Sequence, residues 1–216
     1  QIIPTNTVSA DGQATIKTVP DLVGIYFNVE TEGSSAQIAK DANSEIVANV
    51  NANLINAGFS KDKLTTENFN VYPNYEWGSG KQKMNGYIAT HSLKIEISTG
   101  NINKIGNAID AGVDAGALVS YINFELTEEN QNKYKAEALK KAAEDAKIKA
   151  ESIALGLDKK LGRLVSTSNS QFGYNPWNIY SKVESAGVID AKTIASNIQP
   201  SEQKISASVS VTYKLK

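Results

Sequence analysis

Between Asp21 and Leu126 the spacing of apolar residues alternates between the two-residue period of a strand and the three-to-four-residue period of a helix. That order restricts the fold more than any other feature of the chain. Val23, Ile25, Phe27 and Val29 fall on one face of a strand that opens after Pro20. From Ser35 the period lengthens: Ala39, Ala42, Ile46, Val50, Leu54 and Ala57 form the stripe of an amphipathic helix, and Gly58 is placed to stop it. Phe69, Val71 and Tyr75 mark a strand, Gly78-Ser79-Gly80-Lys81 a hairpin loop, and Tyr87, Ala89, Leu93, Ile95 and Ile97 the returning strand. The other face of that strand, Thr90, Ser92, Lys94, Glu96 and Ser98, is wholly polar. A shorter helix carries Ile102, Ile105 and Ile109, and a strand with Leu118, Ile122, Phe124 and Leu126 on one face follows Gly116. The order β-α-β-β-α-β is the ferredoxin-like arrangement, so the fold class is α+β, with two helices on one face of a mostly antiparallel sheet.

The flanking segments extend this core. Thr7 to Ile16 alternates as a strand that Asp11-Gly12 is expected to interrupt with a bulge or bend, and the strand is expected to pair antiparallel with Val23–Val29. From Glu128 to Leu155 runs the longest helix, with Ala138, Ala142, Ala146, Ala150 and Ile153 among Lys and Glu before Gly156. Small side chains on that stripe imply close packing on a sheet, with subunit contact the second reading. A strand around Leu161 to Thr167 follows. The last strand alternates from Ile205 to Leu215, and the first and last strands are expected to leave open edges. Ser168 to Pro200, rich in Asn, Ser and aromatics, reads as a long loop, and one of that length is uncommon unless functional or mobile. With 216 residues, 41% of them apolar, residues 1–216 read as a single domain. Within it, 21–126 is the split βαβ half, and 127–216 adds the long helix, a strand, the variable loop and the terminal strand.

Composition removes several classes of function. The chain carries 22 basic and 23 acidic residues, and Arg163 is its one arginine, a balance unsuited to nucleic acid. Without cysteine it has no disulfide, thiolate nucleophile or Cys-ligated zinc, which also suits an oxidising compartment. No apolar run approaches the roughly 20 residues needed to span a bilayer, so no transmembrane segment is expected. A start at Gln1 suggests that a signal peptide has been removed.

The ordered signals, taken together, resemble a known family. They are the first strand with its Gly turn, Pro20-Asp21 opening a strand, Leu64-Thr65-Thr66 after the Gly58 stop, Tyr72-Pro73-Asn74-Tyr75, Gly86-Tyr87-Ile88-Ala89, Ile109-Asp110-Ala111, and Phe124 before the Ala138-to-Ala150 helix. Their order and spacing are similar to the SIMPL (YggE-like) family from about Val8 to Leu215. The resemblance implies a fold without an agreed catalytic activity. It also implies kinship with a mammalian adaptor that associates with a Pelle-like kinase, and with exported bacterial proteins, among them a periplasmic immunogenic protein and proteins linked to oxidative-stress defence. It carries over no catalytic residues, and it departs from this sequence at His91 and in the Ser168 to Pro200 insert.

The side chains agree with a non-enzymatic reading. His91 is the sole histidine, and its parity with Ala89 and Leu93 places it as a hydrogen-bonded core residue in preference to a pH-sensitive site. Asp110 and Asp114 share a helix face as a carboxylate pair would, but with no third ligand they read as solvated surface. Gly78-Ser79-Gly80-Lys81 lacks the glycine spacing of a phosphate loop and is a turn. No catalytic, cofactor-binding or metal-binding residues are assigned, and no cofactor is expected. Phe172, Tyr174, Trp177 and Tyr180 are the candidate interaction residues. They either meet a partner or fold back over their own core. The expected function is that of an extracytoplasmic structural or interaction protein that self-associates as a homo-oligomer and could engage a further protein partner. The alternative is a binding module for a small apolar ligand between the sheet and the aromatic loop.

Overall fold

The computed structural model of the chain describes residues 6–78, 81–181 and 200–216. The elements, in order, are β1 (Thr7–Thr18), β2 (Leu22–Gly33), α1 (Ala36–Asn56), β3 (Leu64–Gly78), β4 (Lys81–Ser98), α2 (Ile105–Asp114), β5 (Leu118–Glu125), α3 (Glu128–Gly156), β6 (Leu161–Gly173), β7 (Trp177–Ser181) and β8 (Gln203–Leu215). They divide between two compact units. One comprises Asp21–Glu125 and Trp177–Pro200, and the other comprises Gln1–Pro20, Leu126–Pro176 and Ser201–Lys216. The first strand therefore belongs with the C-terminal half of the sequence.

The first unit is built on an antiparallel sheet of order β3-β4-β2-β5-β7. Its first four strands carry the ferredoxin-like order that the periodicity predicts, and β7 is added at the β5 edge. Val23, Ile25, Phe27 and Val29 of β2 face Leu93, Ile95 and Ile97 of β4, Ile122 and Phe124 of β5, and the helix residues Val50, Leu54, Ile105 and Ile109. Each such side chain, fully buried, contributes roughly 1.5–3 kcal/mol. α1 starts at Ser35, whose side chain accepts a hydrogen bond from the Ile38 amide at 3.3 Å. On the same helix Asn43 is fully buried and donates to the carbonyls of Val29 and Ala89 at 3.0 and 3.1 Å, tying α1 to β2 and β4.

Two expectations in this unit are corrected. Ile102 lies in a 3-10 turn, Thr99–Lys104, so the helix proper begins at Ile105. Leu118 is exposed, because β5 shifts register between the pairs Tyr26–Tyr121 and Phe27–Val119. The extra residue, Ser120, reverses the side-chain parity, and Val119 takes the core position instead. Leu126 follows the end of β5 and is buried in the second unit's core.

The second unit packs α3 on an antiparallel sheet of order β1-β8-β6. Thr127 caps α3 through its side chain, which accepts from the Asn130 amide, and Glu128 and Glu129 occupy the first turn where the helix dipole favours negative charge. The buried stripe is Ala138, Ala142, Ala146, Ala150 and Ala154, while Ile153, expected on it, is exposed. Opposite the stripe lies Gly12, where a Cβ would stand 1.9 Å from the Ala142 carbonyl oxygen and 2.7 Å from the Ala146 Cβ. Glycine and alanine together let the helix lie almost on the strand backbone.

The strand pairing overturns three readings of the sequence. β1 pairs with β8, not with β2, in an unbroken register from Thr7–Lys214 to Thr18–Gln203, so Asp11-Gly12 is no bulge and serves the helix contact instead. β8 is central, flanked by β1 and β6, and the open edges of this sheet are β1 and β6. The expected Ser168–Pro200 loop is strand as far as Gly173 and again over Trp177–Ser181, while residues 182–199 lie outside the described residues. Those added strand residues find hydrogen-bonding partners in β8 and β5, which a reading of local pattern does not supply.

Candidate functional site

The face of the first sheet turned away from α1 and α2 gathers a connected set of ionisable groups. The register sets Tyr26 between Lys94 on β4 and Tyr121 on β5, and sets Gly24 between Glu96 and Asn123. Glu125, at the end of β5, is the anion of the group and is 7% exposed. The Tyr26 hydroxyl donates to its Oε1 at 2.7 Å, and the Lys94 ammonium donates to its Oε2 at 2.8 Å and to Glu96 Oε1 at 3.0 Å. Asn123 Nδ2 adds a longer bond to Glu125 Oε1 at 3.4 Å. The Tyr26 and Tyr121 rings stack with centroids 4.1 Å apart, and Lys94 Nζ lies 5.3 Å from the Tyr26 centroid. Gly24 leaves the space for the carboxylate: a Cβ there would come within 2.8 Å of Glu125 Oε1.

These contacts decide the protonation states. Burial, reinforced by the bond to Glu125, pushes the Tyr26 hydroxyl far above the ordinary tyrosine range. Burial alone would lower Lys94, but the oxygens of Glu125 and Glu96 outweigh it and hold the ammonium well above the usual lysine range. Burial, with the nearby charges of Glu67 and Glu125, also raises Tyr121. At neutral pH this is a charged lysine and a protonated tyrosine, both donating to the Glu125 oxygens. An uncharged amine nucleophile needs the opposite shift of lysine, and a general acid needs a hydroxyl nearer neutrality. The arrangement fixes three strands to one another by charge-assisted hydrogen bonds. In the sequence, Lys94 and Glu96 show as part of a polar strand face. Tyr26, Tyr121 and Glu125 follow by alternation from the core positions Ile25, Ile122 and Phe124, but only the pairing of β2 with both β4 and β5 brings them together.

His91 lies on the predicted side of β4, between Val29 of β2 and Phe69 of β3, but it is half-buried because β3 covers it only in part. Its Nε2 is 2.9 Å from the Thr66 hydroxyl, the Phe69 ring stands 5.2 Å away, and burial lowers its pKa. Asp110 is half-buried and Asp114 exposed on α2, and among the described residues no group of three or more His, Cys, Asp or Glu side chains is gathered as a metal would require.

The candidate aromatics whose side chains are described belong to the cores of both units. Phe172, in β6, and Tyr174 pack on the core of the α3 unit. Lys135 Nζ lies 5.0 Å from the Phe172 centroid, and the Tyr174 hydroxyl accepts from the Leu126 amide at 2.7 Å. Trp177 opens β7 and stacks on Phe124 at 5.5 Å in the other core. Tyr180 pairs with Ile122 in the β5–β7 ladder, and its side chain lies outside the described residues.

Large apolar side chains are also exposed together on α3 with β6 and on the β3–β4 hairpin. Ile148 and Leu155, seven residues apart on one face of α3, are followed by Leu157 and, in β6, by Leu164 and Val165. On the β3–β4 hairpin the exposed residues are Phe69, Tyr72, Tyr75, Trp77 and Met84. Phe69 and Tyr75, the apolar marks of β3 in the sequence, are thus exposed and not core, whereas the α3 and β6 residues sit outside the stripes that account for the core.

Residues 8–213 match the family model described as SIMPL, protein of unknown function (DUF541), a span that runs from β1 to β8. The chain is 26% identical over 169 residues to the uncharacterized protein YggE of Escherichia coli (strain K12), covering 78% of this chain and 68% of that protein. Against YggE of Edwardsiella ictaluri (strain 93-146) the identity is 25% over 170 residues, covering 78% and 70%. It is 26% over 168 residues against the 26 kDa periplasmic immunogenic protein of Brucella melitensis biotype 1, covering 74% and 65%.

Proposed function

Because the chain belongs to the SIMPL family of proteins of unknown function, we propose that it is a non-catalytic, extracytoplasmic interaction protein that presents a surface and self-associates. The extracytoplasmic part draws on the relative named as periplasmic, and the cysteine-free composition suits such a compartment. No helix among the described residues is long and apolar enough to cross a membrane. The non-catalytic part draws on the locked protonation states around Glu125, and none of the named relatives carries the name of an enzyme.

The observation that carries self-association is the run of exposed aliphatic side chains at the end of α3 and the start of β6. Ile148, Leu155 and Leu157 are each more than half exposed, and β6 is an edge strand. Aliphatic side chains beside an open strand edge are stabilised when another chain covers them, and closed homo-oligomers are the commonest such cover. A net charge of −1 leaves little repulsion between copies. Phe172 and Tyr174 contribute to this contact only the parts that their own core leaves uncovered. The same packing engages the aromatics that a small apolar ligand would need, so the ligand reading is the weaker of the two.

Size-exclusion chromatography with light scattering at micromolar concentration tests the proposal. The chain is expected to run as an oligomer, and the double substitution Leu155→Ser, Leu157→Ser is expected to give smaller, folded particles. A wild-type monomer rejects self-association.

A further inference from the structure

The β3–β4 hairpin outruns the sheet that bears it. The last pair between β4 and β2 is Tyr87–Gly33, and beyond it β4 pairs with β3 alone. Gly86 makes the departure possible: its φ is +101°, and a Cβ there would stand 2.5 Å from the Gly33 carbonyl oxygen. In the projecting ribbon Tyr75 lies opposite Met84, Glu76 opposite Lys83, Trp77 opposite Gln82 and Gly78 opposite Lys81. Directly opposed residues share a face and successive residues alternate, so Tyr75, Trp77, Met84 and Gln82 form one face. Glu76 and Lys83 form the other. The first face carries no charge, and Tyr75 is 48%, Trp77 74% and Met84 43% exposed.

We infer that this ribbon face is a peripheral lipid-contact site that sits in the headgroup region of a bilayer. A second copy of the chain is the competing occupant, and area argues against it. Three side chains exposed to this degree offer on the order of 300–400 Å², about half of the roughly 800 Å² per partner of a stable interface. A bilayer makes no such demand, because a few interfacial side chains suffice for reversible attachment. The chemistry fits that occupant. Trp and Tyr pair an apolar ring with a polar edge and concentrate at the membrane–water boundary. Met84 adds a flexible apolar contact, and Glu76 and Lys83 remain on the aqueous side. Lys81 and Lys83 against Glu76 leave the ribbon with a small positive excess, which favours anionic headgroups. The inference does not depend on self-association through α3 and β6.

Trp77 and Trp177 are the two tryptophans of the sequence, which makes the site readable by fluorescence. The protein is mixed with vesicles of phosphatidylcholine alone and of phosphatidylcholine with phosphatidylglycerol. Expected are co-sedimentation that is stronger with the anionic vesicles, a blue shift of Trp77 emission in a Trp177→Phe variant, and protection of that emission from acrylamide. Should Trp177→Phe fold poorly, the difference in emission between wild type and Trp77→Phe reports the same environment. Trp77→Ser, at an exposed position, is expected to keep the fold and lower vesicle partitioning by about tenfold. Three results overturn the inference: no sedimentation with either vesicle, salt-sensitive sedimentation without any change at Trp77, or a Trp77→Ser variant that binds vesicles normally but has lost particle mass. The last would make the ribbon a contact between copies.

Discussion

The two units solve the same problem, a helix laid on an antiparallel sheet, with opposite materials. The βαβ unit fills the gap with Phe27, Phe124, Ile25, Leu93, Ile95 and Ile122. The α3 unit removes the gap, bringing alanines at every fourth helix position against Gly12 and the strand backbone. The first kind of core is harmed by taking atoms away, because a cavity forfeits dispersion contacts that the surroundings cannot restore. The second is harmed by adding them, since there is no side chain to move aside and only backbone to collide with.

The largest expected effect is at Phe124, fully buried and stacked against Trp177. Phe124→Ala should cost about 4 kcal/mol in denaturant unfolding, and a loss below about 1 kcal/mol would mean that the core collapses around the void as a tighter one could not. Its mirror image is Gly12→Ala, a single added methyl, which should cost about 3 kcal/mol because the clash is with the Ala142 carbonyl. If Gly12→Ala is neutral, α3 does not lie on β1 as described and the contrast between the units fails.

The units differ in charge as well. Shifted tyrosines and a shifted lysine occur in the βαβ unit, around Glu125. Glu125→Gln should cost about 2 kcal/mol, less than loss of every partner would, because Glu96 still reaches Lys94. Both Tyr26 and Lys94 are raised in the folded chain, so the folded state holds its protons longer than the unfolded one. The stability they contribute is intact below the ordinary tyrosine value of 10.0 and declines as pH climbs through the range above it. Thermal unfolding across that alkaline range should show the decline in the wild type and a flatter profile in Glu125→Gln. Equal slopes would separate the cluster from alkaline stability.

The smallest effect is at His91. Losing the Thr66 contact in His91→Ala should cost about 1 kcal/mol, with His91→Asn nearer to wild type. Burial depresses this imidazole, so its contribution is present above the ordinary value of 6.5 and fades as pH falls below it. Equal tolerance of Ala, Asn and Lys by thermal melting would show that β3 does not cover the ring.

The periodicity of residues 21–126 was sufficient by itself for the order of the first four strands of the first sheet, since a β-α-β-β-α-β run with helices on one face has few other ways to close. It also placed the alanine stripe and the polar face of β4, because both repeat within a single element. What crosses between distant segments was left to the tertiary structure. Thr7 meets Lys214 in a pairing that alternation in either strand permits but neither specifies, as many strands share a period of two. Ser120 inverts the parity at the start of β5 through one unpaired residue and so decides that Leu118 is exposed, while the pairing of β2 with both β4 and β5 gives the Glu125 cluster its common face. The aromatics from Phe172 to Tyr180 showed as uncommitted side chains. Which core each one covers depends on where β6 and β7 find hydrogen-bonding partners, and those partners, β8 and β5, lie far along the chain.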